Sequence, residues 1–197
     1  VISNMKNNKL MKWAAGITCC LFLTSCENPE TEQDLFGRQF GFPAAHYNFE
    51  NNPPSIQKIQ LGRALFYDPI LSSDSTISCG SCHAPEHAFA DHGVQFSTGV
   101  NGKLGKRNSP SLANMKWNTS FAWDGGINHI EIQPVTPITD SLEMNETLSS
   151  VVNKLNNHNK YPALFKEAFG KEEINDQQLL LALTQFMSVL VSDQSKF

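Results

Sequence analysis

The run Cys79-Gly80-Ser81-Cys82-His83 constrains this chain more than any other feature. It is C-x-x-C-H, the pattern by which a c-type haem is attached. Thiols at the first and fourth positions reach the two vinyl groups on one edge of a porphyrin. The histidine that follows falls beneath the ring, where its imidazole binds iron and helps set the potential. Other uses of the pattern compete. A redox C-x-x-C wants a strand before it and a helix opening at the first cysteine, whereas the polar loop Ser72-Ser73-Asp74-Ser75-Thr76 precedes Cys79. A structural disulfide is open to any cysteine pair in an oxidising compartment. Zinc needs two further ligands. His87 and His92 are at hand, but a second cysteine pair is not.

The N-terminus bears on that choice. Lys6, Lys9 and Lys12 form a basic region, and Ala14 to Leu23 form an apolar run shorter than the roughly 20 residues a bilayer span needs. Leu23-Thr24-Ser25-Cys26 fits a lipoprotein cleavage box, so residues 1–25 are expected to be a signal peptide and Cys26 a lipidated first residue. An uncleaved anchor helix is the competing reading. Acyl chains contribute about 0.8 kcal/mol per buried methylene, enough for several chains to hold the protein on a membrane. Glu27 beside the lipid site is compatible with the outer membrane. Export agrees with the haem motif, because c-type haem is attached outside the cytoplasm. Loss of the segment takes three lysines and no acid from a chain whose net charge is already −4, which argues against a nucleic-acid partner.

Residues 26–52 read as a tether and N-terminal segment, solvated at Glu27 to Asp34. Residues 53–197 suffice for one domain. Ile56 to Tyr67 has helical spacing, with Ser55 placed to cap and Asp68-Pro69 to stop it. Ala84 to Asn108 is irregular and glycine-studded, as expected of a segment that wraps a haem face. A short helix is expected over Ser109 to Met115, and Pro134 and Pro137 are expected to keep their segment extended. Three helices should close the chain, over Glu146 to Leu155, Tyr161 to Phe169 with Gly170 as C-cap, and Gln177 to Val191 with Asn175 and Gln178 as a capping box.

A more specific signal lies in the order of several short motifs. Leu61-Gly62-Arg63-Ala64-Leu65-Phe66-Tyr67-Asp68 leads to Ile77-Ser78-Cys79 and Cys82-His83. Gly105-Lys106-Arg107-Asn108-Ser109-Pro110-Ser111-Leu112, Trp123-Asp124-Gly125, Gln133 and Leu142-Glu143-Met144 follow. From about Ile56 to Phe197 this resembles the N-terminal haem domain of bacterial dihaem cytochrome c peroxidases and MauG-type enzymes. The resemblance implies a mainly α, cytochrome c-like haem domain with long irregular loops. It implies one covalent haem c that reacts with hydrogen peroxide in the periplasm, an electron donor such as a cytochrome c, and a homodimer. The family carries a second C-x-x-C-H domain. This chain has one motif and stops near Asp193, about where that domain would begin, so a shortened chain is expected.

The resemblance also assigns roles. Glu143 matches the family's catalytic acid/base and Gln133 its distal glutamine. Trp123 matches an aromatic electron relay between the haems. Asn108 matches a residue that helps bind calcium between the domains. One position departs from the pattern: Val100 stands where many family peroxidases place a second histidine on the iron. An open iron site is therefore expected, with His87, His92, His129 and Met115 as the groups that could close it. A single-haem electron carrier, with a fixed sixth ligand, and MauG-type oxidation of a partner protein are the rival functions.

Overall fold

The computed structural model describes residue 36 and residues 41–193. The expected signal peptide, Cys26 and the solvated part of the tether lie outside the described residues. Six α-helices, several single 3₁₀ turns and long connections make up the described chain, which contains isolated bridges but no strand. No described helix is long and apolar enough to cross a membrane.

Helix α1 spans Ile56–Tyr67. Its Leu61, Leu65 and Phe66 are buried, and they recur at the spacing that puts them on one face. Ser55 precedes it in extended conformation but does not cap it, because its hydroxyl donates to Gln57 instead (2.9 Å). Asp68 ends α1 and starts the turn Pro69–Leu71 by accepting from the Ile70 N–H (2.9 Å), and it also accepts from the Tyr161 hydroxyl (2.6 Å). Helix α2 is a single turn, Cys79–Cys82, and α3 is Val135–Thr139. Helices α4 (Leu148–Asn156), α5 (Tyr161–Phe169) and α6 (Asp176–Ser188) follow. Thr147 caps α4, Gly170 closes α5 at φ 75°, and Asn175 with Gln178 forms the reciprocal capping box on α6.

Two expectations fail locally. Ser109 to Met115 is not helical. The Ser111 hydroxyl accepts from the Ala113 N–H and donates to the Ala88 carbonyl, while the N–H groups of Leu112 and Asn114 go to Phe89 and Leu190. Those donors are spent on tertiary partners, so a 3₁₀ turn forms only at Met115–Trp117. Conversely, the segment with Pro134 and Pro137 is helical rather than extended. Both prolines fall at the start of α3, where a missing N–H costs nothing.

The packing centre is the crossing of α1 on α6, flanked by α5 and α4. Gly62 makes it close: a Cβ there would lie 2.0 Å from the Ala182 carbonyl oxygen. Phe66 sits at the middle, its ring 5.1 Å from Phe186, 6.3 Å from Phe89 and 6.5 Å from His83. The core is thus continuous with the haem motif. Residues ahead of α1 also pack onto the domain. The N–H groups of His46 and Tyr47 donate to the Lys116 carbonyl, and the Asn52 amide donates to that of Leu181.

Candidate active site

The motif is presented by α2, whose turn closes when the Ser81 N–H and the His83 N–H reach the carbonyls of Ser78 and Cys79. The Ser81 hydroxyl accepts in return from the Ser78 N–H (3.0 Å). Gly80 lies against Tyr67, and a Cβ there would meet its ring at 2.6 Å. A helix does therefore open at the first cysteine, but a polar loop precedes it and no strand does. Both thiols are free. Burial pushes Cys79 up to about 12. Burial, with Asp91 and Glu143 nearby, pushes Cys82 up to about 11. Redox C-x-x-C pairs need the opposite shift.

His83 is held from behind. Its Nδ1 lies 2.8 Å from the Phe89 carbonyl, which fixes Nδ1 as the donor and leaves Nε2 for a metal. The carbonyl is aimed by a reversal at Ala84–Ala90, where Ala88 and Phe89 both take positive φ (55° and 57°). For non-glycine residues that conformation is costly and is kept where surrounding structure enforces it. Burial lowers the His83 pKa against the pull of this bond, so the imidazole is neutral, the form that ligates.

Cys79, Cys82 and His83 line one open cleft. Phe66, Ile77, Leu112, Leu183 and Met187 supply apolar wall, and Gln133 and Glu143 bring polar groups to the same space. Five residues singled out from sequence thus converge from three separate segments. Burial, and then the Asp140 carboxylate, raise the Glu143 carboxyl above its ordinary value. That is the direction proton transfer near neutral pH requires.

Other sequence candidates lie elsewhere. Trp123 is 63% exposed, outside the cleft lining, with its indole N–H on the Asn108 carbonyl (2.7 Å). Asn108 uses its amide N–H groups on the carbonyls of Asp91 and Val94, and among the described residues no cluster of three or more His, Cys, Asp or Glu forms a metal site. The rings of His87 and His92 lie 4.7 Å apart in a tilted pair, and neither they nor His129 nor Met115 line the cleft. Val100 is fully buried, its N–H donating to the Glu143 carbonyl (2.8 Å).

Other residues of the cleft were given no role from the sequence, although Ser109 and Met144 stand inside its motifs. The hydroxyls of Ser97 and Ser109 meet at 2.8 Å on the cleft wall beside Cys82. Met144 and Met187 also line the cleft although neither stands in a recognisable ligand loop. An imidazole held through Nδ1, two thiols outside any disulfide and an apolar cleft with convergent polar groups match the donor set that haem c needs.

Fold and site together define a c-type haem domain whose cleft also carries Gln133 and Glu143. The model of the Di-haem cytochrome c peroxidase family matches residues 56–197, and the chain belongs to that family, whose cofactor is haem c. The chain is 34% identical over 187 residues to the methylamine utilization protein MauG of Methylorubrum extorquens, covering 93% of this chain and 53% of that protein. It is 34% identical over 147 residues to the cytochrome c551 peroxidase of Pseudomonas aeruginosa, covering 74% and 42%. The crystal structure of a MauG-like protein associated with microbial copper homeostasis superposes with a TM-score of 0.69 at 30% identity, over 79% of this chain and 47% of that one. The match confirms the mainly α, cytochrome c-like fold. The chain spans about half the length of the curated relatives it matches.

Proposed function

We propose that this domain is the peroxide-reducing half of a cytochrome c peroxidase-type enzyme. Its reaction takes hydrogen peroxide, two electrons and two protons to two waters, the electrons coming one at a time from a c-type cytochrome or similar donor. The observation that carries the reading is the convergence of Cys79, Cys82, His83, Gln133 and Glu143 on one cleft. Haem c, bound through Cys79, Cys82 and His83, would supply the iron that takes peroxide and stores oxidising equivalents. The Phe89 carbonyl keeps His83 in one tautomer and orientation. Glu143 accepts the proton of the incoming peroxide oxygen and returns it to the departing one. Burial and the Asp140 carboxylate raise its pKa, which favours its taking up that proton. Gln133 orients the peroxide by hydrogen bonding. The apolar walls exclude water and strengthen both interactions.

With Val100 buried and His83 the one histidine of the cleft lining among the described residues, no second imidazole would compete with peroxide for the cofactor that Cys79, Cys82 and His83 would hold. The test is a visible spectrum of the holoprotein before and after one equivalent of peroxide. A high-spin ferric spectrum that changes within seconds, and does not in Glu143→Gln, supports the reading. A low-spin spectrum indifferent to peroxide ends it. That outcome would favour a single-haem electron carrier, for which Met144 or Met187 in the cleft wall offers a sixth ligand. MauG-type oxidation of a partner protein uses the same site and differs in what the oxidising equivalents consume.

The remaining assignments belong to the same proposal. Trp123, exposed beside Asn108, would relay electrons arriving from a second haem domain to this one, and the side-chain oxygen of Asn108 is a candidate calcium ligand between them. A periplasmic protein held to the outer membrane by lipid on Cys26 is supported by the Leu23–Cys26 box. Incorporation of labelled fatty acid that is lost in Cys26→Ser would test it.

A further inference from the structure

The hairpin over residues 97–105 is built on the bridge between Thr98 and Leu104, with the Gly99 N–H on the Lys103 carbonyl (2.8 Å) and the Gly105 N–H on that of Ser97 (2.9 Å). It leans on the segment that carries Glu143, and it does so through a glycine. A Cβ at Gly99 would lie 2.1 Å from the Leu142 carbonyl oxygen, 2.5 Å from that of Glu143 and 2.7 Å from the Glu143 Cα. All three are backbone atoms, so no rotamer change makes room. Gly99 has φ −98°, which any residue adopts, so the glycine is required for space and not for conformation.

The same contact is fastened on either side. The Val100 N–H donates to the Glu143 carbonyl (2.8 Å), and the Lys103 ammonium donates to the Ser141 carbonyl (3.2 Å). The Ser73 N–H, in the loop before the haem motif, donates to the Met144 carbonyl (2.9 Å). Residues 141–144 are therefore gripped between two loops, and one grip is bare backbone on bare backbone.

We propose that Gly99 is the positioning residue for the Glu143 carboxyl: its missing side chain lets the hairpin seat residues 142–143 at the depth from which Glu143 reaches the cleft. The inference rests on the reading of Glu143 as proton carrier. A methyl at position 99 needs roughly 1 Å of retreat, and a displacement of that size costs about 100-fold in a site that depends on geometry.

The test uses the ferric holoprotein as wild type, Gly99→Ala, Lys103→Gln and Glu143→Gln. Two quantities are read across pH: the rate of the spectral change on adding peroxide, and, without peroxide, the step in the ferric haem spectrum that Glu143→Gln abolishes. Gly99→Ala is expected to slow the peroxide reaction roughly 10- to 100-fold. It should also move both the acid limb of the rate and the spectral step to lower pH, because a carboxyl pushed toward water loses the desolvation that raises it. Lys103→Gln, which loosens the hairpin without adding bulk, shifts both less and in the same direction. It decides the matter if Gly99→Ala fails to take up haem. A Gly99→Ala protein that matches wild type in both readings overturns the proposal, and so does a slower one whose spectral step stays in place. Glu143→Gln that reacts like wild type would instead end the Glu143 reading itself.

Discussion

Glu143 is half-buried beside another carboxylate, and both circumstances favour its neutral form. A carboxyl whose folded pKa lies above its unfolded value contributes stability that is fully present below the unfolded pKa and is lost as pH rises through the folded pKa. Glu143→Gln removes the charge at constant shape. The expected outcome has two parts. The rate of reaction with peroxide falls about 10²- to 10⁴-fold, the usual range for a positioned acid/base. Thermal stability rises relative to wild type at neutral pH, and the gain disappears at pH values below the ordinary carboxylate range. Melting curves at several pH values check the second part independently of any haem chemistry. A variant that is slower and more stable is the pattern expected where a functional group is held at a cost to the fold.

At the scale of elements, two joints hold the cleft walls. Lys154 on α4 reaches Glu146 (2.5 Å) and the Ser72 carbonyl (2.7 Å), tying the helix to the loop that leads into the haem motif. Burial works to raise the Glu146 carboxyl, but Lys154, the Thr147 N–H and Ser150 outweigh it and the net shift is downward. That stability is present above the unfolded pKa and fades as pH falls through the folded one. Lys154→Met should cost roughly 1.5–3 kcal/mol at neutral pH, the scale of a lost charged hydrogen bond, and less in acid. Denaturant unfolding at two pH values measures both. The second joint is the α1–α6 crossing, where Gly62→Ala drives a methyl into the Ala182 carbonyl and should cost about 1–3 kcal/mol. Both helices were legible beforehand, because their apolar spacing, the Asp68-Pro69 stop and the Asn175–Gln178 box are local signals. The haem triad was legible for the same reason, and Glu143 and Gln133 through motif order. Gly62 and Gly99 were visible as glycines, but what each must not touch lies 120 and 43 or 44 positions away in sequence. The failure at Ser109 to Met115 has the same origin: its donors serve residues 88–89 and 190, which no local pattern reveals.

At the scale of the molecule, the cleft cuts into the core. Phe66, Leu183 and Met187 belong both to its lining and to the main apolar cluster, and the irregular stretch from Ala84 to Leu112, built of turns and isolated bridges, borders the same cleft through Ser97, Thr98, Gly99, Ser109 and Leu112. Apolar groups that face an open cleft lack contacts that a bound macrocycle supplies. A group that binds the folded state and not the unfolded one stabilises the fold outright, and thioether bonds make that binding permanent. Folding and haem attachment are therefore expected to be coupled. The comparison is the wild-type holoprotein against Cys79→Ala/Cys82→Ala made in the same host. The double variant should keep α1, α4, α5 and α6, whose buried residues pack in one apolar cluster, and so retain most far-ultraviolet circular dichroism. It should lose the near-ultraviolet signal of aromatic residues near the cleft, melt at a lower temperature, and exchange its backbone amides faster over residues 84–112 than over α6. Uniform protection in both proteins would show that the loops hold themselves. The cleft would then be a preformed socket, and the strained turn at Ala88 and Phe89 would be maintained by the polypeptide alone.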